Sequence, residues 1–199
     1  GETLPRSLRT LAFARIVQPA PADARFSHVA GDVFALARDL PAPEWSRTLH
    51  VAALDDKGKV LDATGIQIAG ALDAVFAPAA SEAVLGARVD GEATHFALWA
   101  PTATLVTLCV FDERVTPETR AKRGDPRALS MQVDPASGVW TRAIDLDLRG
   151  QRYAFLVDVL VPGVGLVRNR VTDPYSLGLN ADSRESVVVD LDDPATKPE

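Results

Sequence analysis

The sequence predicts an all-β protein in which residues 84–192 form an antiparallel sandwich of two sheets packed face to face. The clearest strand is 96–101, where apolar residues run up to a proline that ends the ladder. About seven or eight short apolar runs follow one another here, with turn residues at close intervals, which is typical of a sandwich. No helix of normal length fits this part of the sequence.

A smaller, mainly β domain is predicted before the sandwich, over residues 1–83. Residues 11–17 can form a strand, and a loop rich in proline and alanine follows. The apolar runs 26–30 and 33–37 are separated by a Gly-Asp pair, which favours a hairpin. Both observations indicate short strands joined by tight turns.

A second hairpin is predicted from residues 49–54 and 60–61. The turn between them, 55–58, ends in glycine, which supplies the positive φ of a tight reversal. Leu72, Val75 and Phe76 have helical spacing over one short turn, which predicts a connector with one apolar side over residues 70–83. The domain boundary is therefore placed near residue 83.

Within the sandwich, the runs 96–103 and 105–111 are predicted to form an opening hairpin. Residues 112–129 are polar and predict a surface loop. The remaining strands are predicted at 129–133, 139–146, 152–159, 166–171 and 186–191. Residues 193–199 are a polar, proline-containing tail.

The bulk composition excludes several functions. The 199 residues carry a formal net charge of −6, which argues against binding to a phosphate backbone. No apolar run approaches the roughly 20 residues of a membrane helix. The single cysteine, Cys109, allows no intrachain disulfide and predicts a buried, inert thiol, with a reactive nucleophile as the alternative. No signal peptide is visible, and the compartment is left open between an extracellular or periplasmic bacterial location and the cytoplasm.

No motif of catalytic or cofactor chemistry is found. His28, His50 and His95 are scattered without metal-ligand spacing, and neither a phosphate-binding loop nor a Gly-x-Ser-x-Gly elbow is present. Asp145 and Asp147 fall two apart on a predicted strand, so they could pair for glycoside hydrolysis; a solvated outer face is the alternative. We therefore expect no catalytic residue, no metal and no cofactor.

Exposed aromatic rings are the other route to function, because the apolar faces of sugars stack on them. Trp99, between Leu98 and Ala100, is expected in the core. Trp140 also suits a core position, but it is the best candidate for a sugar-stacking face, with Tyr153 beside it across a short hairpin. Carbohydrate contact by Trp140 and Tyr153 is the binding hypothesis, and core packing is the alternative.

Several segments resemble the N-terminal region of pullulanase-type starch-debranching enzymes. The resemblance is carried by FSHVAG at 26–31, by VLDATGIQIAGALDAVF at 60–76, by ALWAPTA at 97–103, by the spaced Gly, Trp, Tyr and Phe of 138–157, and by VTDPYS and SRESVVVDLDDP within 171–194. The last pair is the most specific. Together these segments span most of residues 26–194.

The resemblance implies that residues 84–192 are an immunoglobulin-like sandwich of the early-set type, assigned in that family to carbohydrate-binding module family 48. It implies that residues 1–83 are the small domain before it, and it leaves open whether that domain is complete. Residues 193–199 would be a linker toward a catalytic barrel of glycoside hydrolase family 13. The barrel cleaves α-1,6 branches with an aspartate and a glutamate, to which no residue of this chain corresponds.

The resemblance also implies partners. They are α-glucan such as starch, pullulan or limit dextrin, and the catalytic barrel, against which Asp173, Pro174 and Tyr175 would form a contact turn. Apolar surface meant for the barrel suggests weak self-association. A stand-alone glucan-binding module and a plain protein-interaction sandwich remain as alternatives; neither nucleic acid nor membrane is expected as a partner.

Overall fold

The protein is described here from a computed structural model. The structure describes residues 49–66, 68–112, 114, 125–161 and 164–196 and, by their backbone alone, 13–16 and 33–36. By packing, residues 1–41 and 42–199 are two compact units. The predicted domain limits at 83 and 192 stay a prediction.

The first unit contains a pair of antiparallel strands. Strand β1, Phe13–Ile16, pairs with β2, Val33–Leu36, in a register that sets Phe13 opposite Leu36. Within the described residues 13–16, the strand predicted over 11–17 is thus confirmed. The hairpin predicted between 26–30 and 33–37 lies partly outside the described residues, and within them β2 pairs with β1.

The second unit opens with the hairpin predicted around residues 55–58, which is confirmed. Strand β3, His50–Leu54, pairs antiparallel with β4, Val60–Gly65. The Asp55 carboxylate accepts hydrogen bonds from the backbone N–H groups of Lys57 and Lys59 at 2.9 and 2.8 Å. The side chain of the first turn residue therefore satisfies donors that the reversal leaves open.

A helix follows where the sequence predicts a single short turn. Helix α1, Ala69–Ala80, has 12 residues and no side-chain N-cap, and it includes Pro78. Such a helix has weak local signals, so packing of its apolar side stabilises it. Phe76, 2% exposed, provides that packing: it lies against the turn at Gly138.

Within the described residues, ten further strands build the predicted antiparallel sandwich. The small sheet has the order β5-β6-β10-β9, with β5 at Gly86–Asp90, β6 at Ala93–Trp99, β10 at Val139–Ile144 and β9 at Gln132–Asp134. The large sheet has the order β13-β14-β11-β7-β8, with β13 at Gly178–Leu179, β14 at Ser186–Val187, β11 at Arg152–Val161, β7 at Ala103–Val110 and β8 at Arg127–Ser130. Strand β12, Gly165–Val171, pairs with β11 as well.

The inward-facing residues of both sheets form one core. On β6 the buried residues are every second one, whereas β11 is buried on both faces at Tyr153, Ala154 and Phe155. Members of this core include Phe96, Leu98, Val106, Leu108, Trp140, Leu148, Tyr153 and Phe155. Phe96 and Phe155 both pack edge-on against the Tyr153 ring, with centroids 5.0 and 5.7 Å from it.

The predicted opening hairpin is wrong. Strands β6 and β7 follow each other in sequence but lie in different sheets, and the first hairpin of the sandwich is β5–β6. Pro101 lacks a ladder N–H, and the backbone N–H of Ala103 donates to the Ala100 carbonyl oxygen, which turns the chain across to the other sheet.

The strand predicted over 129–133 is two strands that belong to different sheets. Strand β8 pairs with β7, whereas β9 pairs with β10. Met131, 5% exposed, lies between them, and its backbone N–H donates to the Val106 carbonyl oxygen at 3.0 Å. The strand predicted over 186–191 is shorter than expected, because only Ser186 and Val187 form β14.

Candidate functional site

The two residues predicted to contact carbohydrate, Trp140 and Tyr153, lie in the core. Trp140 is 5% exposed, and its indole N–H donates to the Ala100 carbonyl oxygen at 3.0 Å. Tyr153 is 0% exposed. They belong to different sheets, so they are not neighbours across a hairpin. A stacking ring needs an open face, which neither has, and the core alternative therefore describes both residues.

Trp99 departs from the sequence prediction in the opposite sense. It was expected in the core, but it lies on the outer side of β6 and is partly exposed. Its indole N–H donates to the Ser137 carbonyl oxygen at 2.9 Å, which fixes the ring. The alternation of the strand indicates this position, because successive side chains point to opposite faces and Phe96 and Leu98 face the core.

The predicted contact turn is held by a buried polar group. The Tyr153 hydroxyl donates to Asp173 Oδ2 at 2.7 Å, and the Asp173 backbone N–H donates to Ser186 Oγ at 2.9 Å. Asp173 Oδ1 accepts from the backbone N–H of Tyr175 at 2.8 Å. Burial raises the pKa of both Tyr153 and Asp173. Tyr153 is therefore a permanent hydrogen-bond donor that fixes the turn.

The same turn touches the small sheet. A Cβ added at Gly86, whose φ is +94°, would lie 3.1 Å from the Tyr175 carbonyl oxygen. The turn thus joins β5 to the β11–β14 region, and it leaves Pro174 and Tyr175 at the surface, with Tyr175 39% exposed. The role of Asp173, Pro174 and Tyr175 in a domain interface stays a prediction.

Ion pairs cover the outer face of the large sheet. Arg168 binds the Asp158 carboxylate through two bonds of 2.7 Å, and this holds the pKa of Asp158 below its usual value. Glu185, 8% exposed, accepts from Arg152 at 2.6 Å and from Arg170 at 2.9 Å. Both guanidinium groups also lie over the Phe111 ring, 5.2 and 5.6 Å from its centroid. The charged donors of this face are therefore already paired.

The outer face of the small sheet carries a shallow groove of about 270 Å³. Residues that line it include Val84, Arg88, His95, Ala97, Thr141 and Ala143. In the strand register Arg88 and Ala143 flank His95, while Gly86 and Thr141 flank Ala97. The floor is therefore made of small side chains, and polar ones stand around it.

Asp145 and Asp147 do not form the carboxylate pair considered from the sequence. Strand β10 ends at Ile144, so the two residues follow it rather than share one of its faces. Arg149 binds Asp147 at 2.6 Å and Asp190 at 2.9 Å. Hydrogen bonds from Arg149 lower the pKa of Asp147. Asp147 thus holds a loop in place.

Metal-ligand clusters, membrane-spanning helices and reactive thiols are the remaining kinds of site. Within the described residues, no three His, Cys, Asp or Glu side chains come together as metal ligands. No helix in this part of the chain is long and apolar enough to cross a bilayer. Cys109 is 5% exposed, as predicted, and burial raises the pKa of its thiol.

The two antiparallel sheets packed face to face define an immunoglobulin-like β-sandwich. The model of carbohydrate-binding module 48, the isoamylase N-terminal domain, matches residues 84–176. The pullulanase N2 domain matches residues 8–74. The chain therefore consists of the two domains found in the N-terminal region of pullulanases, an N2 domain followed by a family 48 module. These are non-catalytic domains of glycoside hydrolases.

Individual pullulanases are also similar to this chain in sequence and in structure. The chain is 37% identical over 158 residues to pullulanase of Klebsiella pneumoniae, covering 76% of this chain and 13% of that protein. It is 30% identical over 187 residues to the chloroplastic pullulanase 1 of Arabidopsis thaliana, covering 91% and 18%. Ligand-free PulA from K. pneumoniae superimposes with a TM-score of 0.81 at 31% identity, over 97% of this chain and 18% of that one. The chain thus spans less than a fifth of these relatives.

Proposed function

We propose that this chain is the part of an α-1,6-glucan debranching enzyme that supports the catalytic barrel and binds α-glucan. The main support is the order of the domains: an N2 domain is followed by a family 48 module, as in the N-terminal region of pullulanases. The chain also superimposes on PulA with a TM-score of 0.81. The catalytic step belongs to a domain outside this chain. Pullulan hydrolysis by the isolated chain is therefore expected to be undetectable.

The glucan-binding half of the proposal is supported by the match to a carbohydrate-binding module and by an open groove on the small sheet. PulA of K. pneumoniae has also been crystallised as a complex with maltotriose. Affinity electrophoresis in gels with and without amylopectin tests it. Retardation by amylopectin is the expected result, and unchanged mobility would leave support of the barrel as the function.

The supporting half of the proposal assigns the barrel contact to the turn at Asp173, Pro174 and Tyr175. The buried Tyr153–Asp173 bond supports this assignment, because it holds the exposed Tyr175 rigidly at the surface. Sequencing the gene past codon 199 tests the parent architecture. A barrel-coding region is expected there, and a stop codon would favour a stand-alone module instead.

Weak self-association is proposed for the chain tested alone. The end of the β11–β12 hairpin carries Leu160, Val164 and Leu166, which are 46%, 72% and 62% exposed. Sedimentation velocity over a range of concentrations is expected to show a rising sedimentation coefficient. A constant monomer value at millimolar concentration contradicts this part.

A further inference from the structure

The two outer faces of the sandwich differ in whether their polar side chains are already engaged. On the large sheet Arg152, Arg168 and Arg170 are bound to carboxylates. On the small sheet, His95 and Thr141 make no side-chain hydrogen bond or ion pair within the part of the chain that the structure describes. A ligand at the large sheet must compete with these formed ion pairs, whereas at His95 and Thr141 it displaces only water.

The groove places these unengaged groups around one spot. Arg88, His95 and Ala143 lie in one cross-strand row, and Ala97 and Thr141 lie in the next. Arg88 has only a loose ion pair, 3.6 Å from Asp90, with 59% of its side chain exposed. A guanidinium, an imidazole and a hydroxyl thus face a floor of two alanines, which combines hydrogen-bonding groups with an apolar surface.

Trp99 extends this arrangement along β6. It lies two residues beyond Ala97 on the same side of the strand, about 7 Å away at the usual strand rise, and it is partly exposed. The bond from its indole N–H to Ser137 fixes the ring without using a partner outside the module. A rigid aromatic beside a polar groove suits a chain of sugar rings, which present hydroxyl groups at their edges and C–H groups on their faces.

We infer that the α-glucan binds across the outer face of the small sheet. This inference rests on the proposed glucan-binding function. One glucose unit lies over Ala97 and Ala143, with hydrogen bonds from Arg88, His95 and Thr141 to its hydroxyl groups. The next unit of the chain lies toward Trp99. The groove volume of about 270 Å³, near the lower end of ligand pockets, restricts deep contact to a single ring.

Ala143→Arg tests the site, because it places a long charged side chain on the exposed groove floor. Leu166→Arg is the matched control: it adds the same side chain to an exposed strand residue of the other sheet, 62% exposed. Affinity electrophoresis in amylopectin gels, at several glucan concentrations, measures the dissociation constant of each whole chain. For Ala143→Arg we expect a dissociation constant about tenfold higher or more, and for Leu166→Arg the same dissociation constant as for the unmodified chain.

The outcomes separate the site from the function. If the unmodified chain is retarded and Ala143→Arg is retarded equally, the groove is overturned and glucan binding stands. If the unmodified chain is not retarded, glucan binding itself is wrong, and this site with it. Loss of binding in Leu166→Arg but not in Ala143→Arg moves the site to the large sheet.

A second measurement covers the case in which Ala143→Arg does not fold. Maltoheptaose is titrated into the unmodified, isotope-labelled chain, and amide chemical shifts are followed. The largest changes are expected at His95, Ala97 and Ala143, with smaller ones at Trp99. Changes centred on Arg168 and Arg170 overturn the inference. The variant pair His95→Ala and Thr141→Val, both at exposed positions, is expected to weaken the same titration about tenfold or more.

Discussion

The Tyr153 hydroxyl donates a 2.7 Å hydrogen bond to Asp173 Oδ2, and both side chains are almost completely buried. This bond connects the centre of the core to a surface turn. Tyr153 also packs against Phe96 of the small sheet, while Asp173 orients the backbone of Tyr175. Core packing and the geometry of the exposed turn therefore depend on one another.

Tyr153→Phe should lower the free energy of unfolding by about 1–3 kcal/mol, because it leaves a buried carboxylate without one of its donors. Urea denaturation followed by tryptophan fluorescence measures the change. Tyr175→Phe is the control, since that hydroxyl is on a 39% exposed residue. Equal stability of Tyr153→Phe and the unmodified chain would show that the buried bond contributes nothing.

Gly138→Ala should be strongly destabilising. A Cβ there would lie 2.6 Å from Pro101 Cβ, and φ is +68°. Left-handed backbone costs about 1–2 kcal/mol, and overpacking adds about 1–3 kcal/mol. Gly150→Ala separates the two effects, because φ is +73° but nothing lies within 4 Å of the added atom. Thermal melts should show a larger loss of stability for Gly138→Ala than for Gly150→Ala. Similar losses of stability would contradict a steric clash with Pro101.

Phe76→Ala should cost about 3–5 kcal/mol and release α1 from the sandwich. Phe76 is 2% exposed and lies against the turn at Gly138, so its removal leaves a cavity where the helix is docked. Hydrogen exchange should rise throughout Ala69–Ala80 while β6 and β11 stay protected. Asp73→Ala, on the exposed side of the helix, is the control. Unchanged exchange in α1 would mean that other contacts hold it.

Stability should fall as the pH drops below about 4, the ordinary pKa of aspartate. The pKa of Asp158 is lowered in the folded state by Arg168, so its contribution is full above the unfolded pKa and is lost as pH falls through the folded value. Asp158→Asn should make the acid side of the stability curve shallower. Urea midpoints between pH 2 and 7 test this; a curve parallel to that of the unmodified chain contradicts it.

Local patterning predicts the strands of this fold better than it predicts their partners. Alternation along 96–101 identifies β6, although Trp99 was expected in the core and lies on the face opposite Phe96. It does not reveal that β6 and β7 lie in different sheets, because that choice depends on long-range pairing with β10 and β11. Periodicity therefore does not give the strand pairing, and the immunoglobulin-like topology was expected from the family motifs.

The candidate site was harder to predict, for a physical reason. An aromatic residue in a strand has a similar local sequence signal whether it faces the core or solvent, so the sequence leaves Trp140 open between a core position and a sugar contact. The groove at His95 has no motif at all, since its residues come from three strands and meet only through their register. Helix α1 was underestimated because Phe76, rather than helix propensity, stabilises it.

The passage of the chain through Met131 has a mechanical consequence. One continuous stretch contributes β8 to one sheet and β9 to the other, while at the opposite border the Asp173 turn touches both. These two connections oppose shear of one layer over the other. We therefore expect a force applied at one sheet to move both sheets together.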